Sequence, residues 1–100
     1  MITGGAGGVA TYAILFARHF GAHVTALCSP SNFSLLQSLG ASVTLDYNDD
    51  WSKGFESEDK KFDVMMDFRG GKHYWDTAKK IVKLNGRFVT PCGYVFQLVH

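Results

Sequence analysis

No acidic residue occurs before Asp46. All nine Asp and Glu lie from that position onward, while Arg18, His19 and His23 stand in the acid-free stretch. Ten Lys plus Arg nearly balance the acids, giving a formal charge of +1. The chain therefore lacks the basic excess that a nucleic acid or an anionic membrane surface would select. Cysteine is scarce as well: Cys28 and Cys92 are far apart, with no Cys-x-x-Cys pair and no His cluster beside them. That pattern supplies neither a disulfide framework nor a zinc ligand set, and it fits two reduced thiols in an intracellular protein. No apolar run approaches the roughly 20 residues of a bilayer span. A secretory leader is not expected either, because Met1 runs straight into Ile2, Thr3 and glycines.

What is present is material for a packed core: 46% hydrophobic residues, with eight Phe, four Tyr and two Trp. One hundred residues suit one small domain, and no repeat or low-complexity segment divides them. Short apolar runs alternate with helical patterns. Met1–Thr3 reads as the last residues of a strand. From Gly8 to Phe20, apolar residues recur at Val9, Tyr12, Ala13, Phe16, Ala17 and Phe20, which predicts one inward helical face closed by Gly21. His23–Cys28 is a β-prone run ended by Ser29-Pro30. A second helix is expected from Ser31 or Asn32, either of which caps well, burying Phe33, Leu35, Leu36 and Leu39 and stopping at Gly40. Val43–Leu45 predicts a short strand, and 48–61 a polar loop with one turn around Trp51 and Phe55. Phe62–Met66 predicts a buried strand. A third helix is expected over His73–Leu84, facing Tyr74, Ala78, Ile81 and Val82 inward and ending at Asn85-Gly86; Arg87–Thr90 is the last strand. This alternation predicts an α/β fold, a Rossmann-type parallel sheet with helices on both faces, cut short at its first strand and lacking a sixth.

The chemistry concentrates in Thr3-Gly4-Gly5-Ala6-Gly7-Gly8-Val9-Ala10. Gly5, Gly7 and Ala10 satisfy G-x-G-x-x-G/A between a strand and a helix, the context that gives the motif meaning. One glycine permits the tight turn, a second lets backbone approach a pyrophosphate, and small Ala10 lets the helix pack on the sheet. Helix N-terminal amides then hold the phosphates. A P-loop is excluded, because no Lys-Ser/Thr closes the glycine run. An NAD-preferring site places Asp or Glu at the end of the second strand to bond the ribose 2′-hydroxyl. Here that position reads Leu27-Cys28-Ser29. The missing carboxylate removes repulsion of a 2′-phosphate, and Ser29, Ser31 and Asn32 offer donors to it, so NADPH is expected over NAD. The competing reading is that Ser31 or Asn32 only caps the next helix.

GGAGGVATYAILFARHFGAHVTALCS resembles the medium-chain dehydrogenase/reductase superfamily, in its zinc-free quinone-oxidoreductase branch. SLGASVTLDY, FDVMMDFRGG and LNGRFVTPCG follow in the order of that branch's segments, from Gly4 to about Gly93. Within the branch, AHVTALCS, the Trp75 region and VTP at 89–91 look most similar to the reticulon-interacting mitochondrial oxidoreductases. The resemblance implies that Gly7, Gly8 and Val9, in the turn with Gly4 and Gly5, contact the pyrophosphate. It also implies that Ser29 and Tyr47 lie at the adenosine 2′-phosphate, where Asn32 offers a further donor. It also brings the loop Asp67-Phe68-Arg69 and the turn Cys92-Gly93 toward ribose and nicotinamide. Two departures stand out: Ala10 replaces the usual last glycine, and Asn32 stands where many NADPH-dependent members carry lysine.

The function so implied is hydride transfer from NADPH, without zinc, to a small-molecule quinone, enone or carbonyl substrate. Family members complete the substrate cleft with a GroES-like domain that is not in this sequence, so the lone chain is expected not to turn over; a homodimer is left open. The compartment is expected to be mitochondrial or cytoplasmic. No residue is assigned as a catalytic acid or base. Cys92 has no His nearby in sequence, and the Tyr-x-x-x-Lys pair of short-chain dehydrogenases fails because Ala78 follows Tyr74 at the lysine position. Asp63 and Asp67 flank a strand, and one is expected to orient a loop. Lys79, Lys80 and Lys83 read as the solvated face of the third helix. The alternative is a truncated or spliced, non-catalytic nucleotide-sensing or protein-interaction module.

Overall fold

A computed structural model describes residues 1–4, 7–90 and 95–97. The elements in chain order are β1 (Ile2–Thr3), α1 (Gly8–His19), β2 (Thr25–Cys28), α2 (Phe33–Leu39), β3 (Val43–Asp46), β4 (Phe62–Asp67), α3 (Lys72–Ile81), β5 (Val82–Val89) and β6 (Val95–Gln97). Their order across the sheet is β3-β2-β1-β4-β5-β6. The first five run parallel, as alternating strands and helices require. Contrary to expectation a sixth strand is present among the described residues, Val95–Gln97, but it returns antiparallel along β5 and does not extend the parallel order. The chain walks outward from β1 through β2 to β3, then restarts at β4 on the other side of β1. That reversal puts a topological switch point at the carboxyl ends of β1 and β4, where open α/β sheets leave room for ligands.

Alternation along the strands sorts the core onto two faces. Met1, Leu27, Met65 and Phe88 pack with Tyr74, Ala78 and Ile81 of α3 on one side. Ile2, Ala26 and Cys28 pack with Ala10 and Ile14 of α1 and Leu36 of α2 on the other. Helices therefore cover both faces, as expected.

Helix α1 departs from the expected face. The buried positions are Ala10 and Ile14, flanked by Ala13 and Ala17, whereas Val9, Tyr12, Phe16 and Phe20 point outward and Phe16 is 63% exposed. The helix is apolar around most of its girth, so periodicity alone admits two stripes. The sheet selects the one with small residues, because a helix beside a glycine turn must approach the strands closely. Leu35 of α2 is likewise outward, leaving Leu36 as the buried residue of that helix.

The third helix also ends earlier than His73–Leu84. It stops at Ile81, and β5 begins at Val82 without an intervening loop. Asn85-Gly86 lies inside the strand, where two steps along β4 (Phe62 to Val64) are matched by five along β5 (Val82 to Arg87). Asn85 takes the left-handed region at φ 67. A Cβ on Gly86 would come within 2.5 Å of Val82 Cγ1 and 2.7 Å of the Asp63 carbonyl, so only glycine fits this bulge. Lys83 consequently belongs to β5, where its Nζ pairs with Asp63 at 3.1 Å; it is not on the helix face with Lys79 and Lys80.

Candidate nucleotide-binding site

The strand-to-helix turn begins at Gly4, whose φ of +70 is left-handed. Its amide-side crowding is equally restrictive: a Cβ there would sit 3.1 Å from both Arg69 N and Phe68 C, the loop that follows β4. Gly4 is thus glycine for internal reasons. Gly7 and Gly8 are not. Gly7 has an ordinary extended conformation (φ −71, ψ 157) at the N-cap of α1. A Cβ on it would meet only Gly4 O at 3.4 Å, and one on Gly8 would meet nothing within 4 Å. The room left by these two glycines opens outward, above the first amides of a 12-residue helix with no acidic residue in its first turn. That is the shape and polarity required by a diphosphate drawn close to backbone. The turn is closed by Gly7 N donating to Gly4 O at 3.0 Å. Val9 is exposed beside it. Gly5 lies outside the described residues.

Next to this turn is a cavity of about 190 Å³ lined by Gly4, Gly7, Leu27, Cys28, Ser29, Asn32, Tyr47 and Arg69. Five of the residues expected to hold the nucleotide, on three separate segments, are thereby brought together: Gly4, Gly7, Ser29, Asn32 and Tyr47. Asn32 holds the N-cap position of α2, yet its side chain makes no capping hydrogen bond. The capping role considered for it is not the one the fold uses. The Tyr47 phenol is held below its ordinary pKa, first by a hydrogen bond with Ser29 and then by the Arg69 cation. Arg69 lies over the Tyr47 ring, 4.1 Å from its centre. Cys28 is pushed up, mainly by burial and further by Asp46, its partner across on β3. It is therefore a core thiol and a poor nucleophile.

The loop that brings Arg69 to the cavity is held by Asp67. This residue is buried, and one carboxylate oxygen accepts the Thr3 hydroxyl together with the backbone N–H groups of Arg69 and Gly70, each at 3.0 Å. Phe68 N donates to Thr3 O at 3.2 Å, which ties the same loop to β1. Asp67 is the loop-orienting acid that the sequence pattern called for; exposed Asp63 serves Lys83 instead. Phe68 enters the site through its backbone, because its ring packs against the core shared with α1 and α2. The side chain that reaches the cavity is its neighbour Arg69. Sequence reading assigned Arg69 only to the loop; the available signal was a lone cation placed just after a strand at the switch point. Cys92 and Gly93 lie outside the described residues.

A larger cavity, about 700 Å³, opens at the opposite end of the sheet between Val24-Thr25 and Phe62–Val64. It is the space beside a β1 of two residues set between strands of four and six. It lies at the amino ends of the strands, away from the glycine turn and from the carboxyl ends where open α/β sheets bind ligands. Among the described residues, no group of three or more His, Cys, Asp or Glu is arranged to hold a metal ion, and no helix is long and apolar enough to cross a membrane.

Comparison with known proteins agrees with this geometry. The 2-methylene-furan-3-one reductase of Solanum lycopersicum is 40% identical over 97 residues, covering 95% of this chain and 24% of that protein. The mitochondrial NAD(P)H oxidoreductase RTN4IP1 of Danio rerio is 39% identical over 72 residues, covering 72% of this chain and 19% of that protein. The quinone oxidoreductase of Pseudomonas syringae pv. Tomato DC3000 superposes with a TM-score of 0.77 at 30% identity, over 89% of this chain and 28% of that structure. The chain thus spans about a fifth to a quarter of the length of the curated relatives it matches. Residues 8–97, from the glycine turn to the antiparallel edge strand, match the family described as zinc-binding dehydrogenase, and the chain belongs to that family, as a nucleotide-binding fold of the medium-chain dehydrogenase/reductase type.

Proposed function

We propose that residues 1–100 form the dinucleotide-binding domain of an NADPH-preferring, zinc-independent oxidoreductase that reduces a quinone, enone or carbonyl compound. The observation that carries this reading is the outward-opening glycine cradle at Gly7 and Gly8, set beside a cavity with Ser29, Asn32 and Tyr47 on its walls. Hydride chemistry belongs to the nicotinamide when it is bound; the chain's own groups bind and orient. The α1 amides receive the diphosphate, and Gly4 allows the β4 loop to close against the turn. At the end of β2, Cys28 and Ser29 leave no carboxylate to repel a 2′-phosphate, which supports NADPH over NADH. The names of the relatives, which include an NAD(P)H oxidoreductase and quinone oxidoreductases, support the reaction class.

The small-molecule substrate would be met in a cleft completed by a GroES-like domain. By resemblance to the family, Gly5 and Val9 belong to the pyrophosphate turn, and the loop at Phe68 and the turn Cys92-Gly93 serve the ribose and nicotinamide. Without that domain, the 100-residue chain binds nucleotide and does not turn over. The location proposed is mitochondrial or cytoplasmic, the first by analogy with the mitochondrial NAD(P)H oxidoreductases among the relatives, and a homodimer is left open. The test is isothermal titration of the purified chain with NADPH and, separately, NADH. Saturable binding with NADPH the tighter ligand is the expected result. Absence of binding by both would sink the nucleotide-binding reading.

A further inference from the structure

Among the described residues, Arg69 is the one charged residue lining the cavity beside the glycine turn. Its position is not left to a flexible stem alone. The Arg69 backbone N–H donates to buried Asp67, and the next amide, Gly70, donates to the same oxygen. The loop is therefore pinned where it leaves β4. From there the side chain meets Tyr47, the first residue after β3, over the ends of β1 and β2, so that its guanidinium carbon stands 4.1 Å from the centre of the Tyr47 ring. Ser29, at the end of β2, hydrogen-bonds the same phenol. Three loops thus deliver a cation and two hydroxyls to one point.

We propose that Arg69 determines nucleotide specificity by supplying the cation that binds the adenosine 2′-phosphate, with Tyr47 as the platform that holds the guanidinium in place. The proposal rests on the nucleotide-binding reading and deepens it. A 2′-phosphate carries close to two negative charges at neutral pH, and polar donors such as Ser29 and Asn32 compensate charge poorly. A guanidinium offers a planar fork of donors matched to phosphate oxygens. Arginine carries five N–H donors, so a guanidinium resting over the Tyr47 face, 4.1 Å from its centre, has donors to spare for phosphate oxygens. Asp46 on β3 keeps its negative charge while its Oδ1 accepts the Asn48 amide at 2.9 Å, so a cation at position 69 is needed all the more to draw a phosphate in.

The experiment measures dissociation constants of NADPH and NADH for the 100-residue chain and for Arg69→Ala, Arg69→Lys and Tyr47→Phe, with 2′,5′-ADP and 5′-AMP as fragments that isolate the same phosphate. In Arg69→Ala, the NADPH and 2′,5′-ADP affinities are expected to fall about 10- to 100-fold, the range for hydrogen bonds to a charged group, with NADH and 5′-AMP almost unchanged. Arg69→Lys should recover part of the loss, and Tyr47→Phe, which keeps the ring and loses the hydroxyl, should weaken NADPH less than Arg69→Ala does. A larger loss in Tyr47→Phe would put the phosphate contact on the phenol and overturn the proposal. Equal weakening of NADH and NADPH would overturn the proposal and make Arg69 an adenine-stacking residue. An unchanged preference in Arg69→Ala would overturn it too, while leaving the nucleotide-binding reading intact. Failure of the unaltered chain to bind either nucleotide would overturn both.

Discussion

Removing the Asp67 carboxylate should damage this fold more than its single position suggests. Asp67 is 1% exposed and Thr3 fully buried. Three donors converge on one Asp67 oxygen: the Thr3 hydroxyl and the amides of Arg69 and Gly70. In Asp67→Ala the hydroxyl loses its partner in a site that water does not reach, whereas the two amides are only part-buried and regain water in part. A hydrogen bond to a charged group contributes about 1.5–3 kcal/mol, and an orphaned buried polar group costs about 1–3 kcal/mol. Discounting the two loop amides for solvent, Asp67→Ala should lose roughly 3–5 kcal/mol. Asp67→Asn can place its amide oxygen where the three donors meet, so it forfeits only the charge and should lose about half as much. Guanidinium unfolding followed by the fluorescence of Trp51 and Trp75 measures both. If alanine costs under 1 kcal/mol, or if asparagine is as harmful as alanine, the network is not what holds the β1 and β4 ends together. A Thr3→Val, Asp67→Ala double variant should be less destabilised than the sum of the two single changes, since their donor and acceptor vanish together.

Two further tests address packing and protonation. Ile14→Ala, at the fully buried centre of α1, should cost about 2–5 kcal/mol, while Phe16→Ser two residues on should fall within about 0.5 kcal/mol of the unaltered chain; equal costs by chemical denaturation would mean that α1 packs on its other stripe. Burial lowers the Met1 ammonium from 8.0 to about 5, against the weaker opposing pull of Asp63. Between those values the unfolded chain binds the proton and the folded chain does not, so stability rises with pH through this window and is lost as pH falls from 8 to 5. The slope is about 1.4 kcal/mol per unit and the whole window at most about 4 kcal/mol. Acetylating the amino group of the 100-residue chain should flatten that part of the profile, and superimposable profiles would refute the assignment.

The fold was legible because its punctuation is strong. Apolar runs of strand length lie between glycine-terminated helical patterns, and that alternation admits little besides a parallel α/β sheet. What the pattern hid has a physical reason in each case. The α1 face was ambiguous because Val9, Tyr12 and Phe16 extend the apolar stripe past what the sheet can cover, and the small residues that do the packing carry a weak hydrophobic signal. The end of α3 was misplaced because Asn-Gly is equally a helix terminator and a bulge. The choice is made by β4, whose Asp63 carbonyl leaves room only for a glycine at position 86. No local rule along the chain contains that information.

The site divides in the same way. Gly4, Gly7 and the position of Ser29 could be read from spacing, since a strand-turn-helix fixes where backbone meets phosphate. Asn32 was legible as a donor after the acid-free strand end and Tyr47 came from resemblance, and the cavity that unites them depends on the β3-β2-β1-β4 order. Arg69 shows why such a residue is hard to see in one dimension. Its partner Tyr47 is on a different strand's end, two positions across the sheet from β1, and its orientation is set by Asp67, whose own partner is Thr3. Each of these links joins residues that are neighbours only because β4 returns beside β1. A sequence pattern records which side chains follow one another along an element, but the selectivity of a site at a topological switch point is written in side chains that meet across it. Charge placement therefore had to be read from the folded sheet, although the missing carboxylate that makes room for a phosphate was visible from the start.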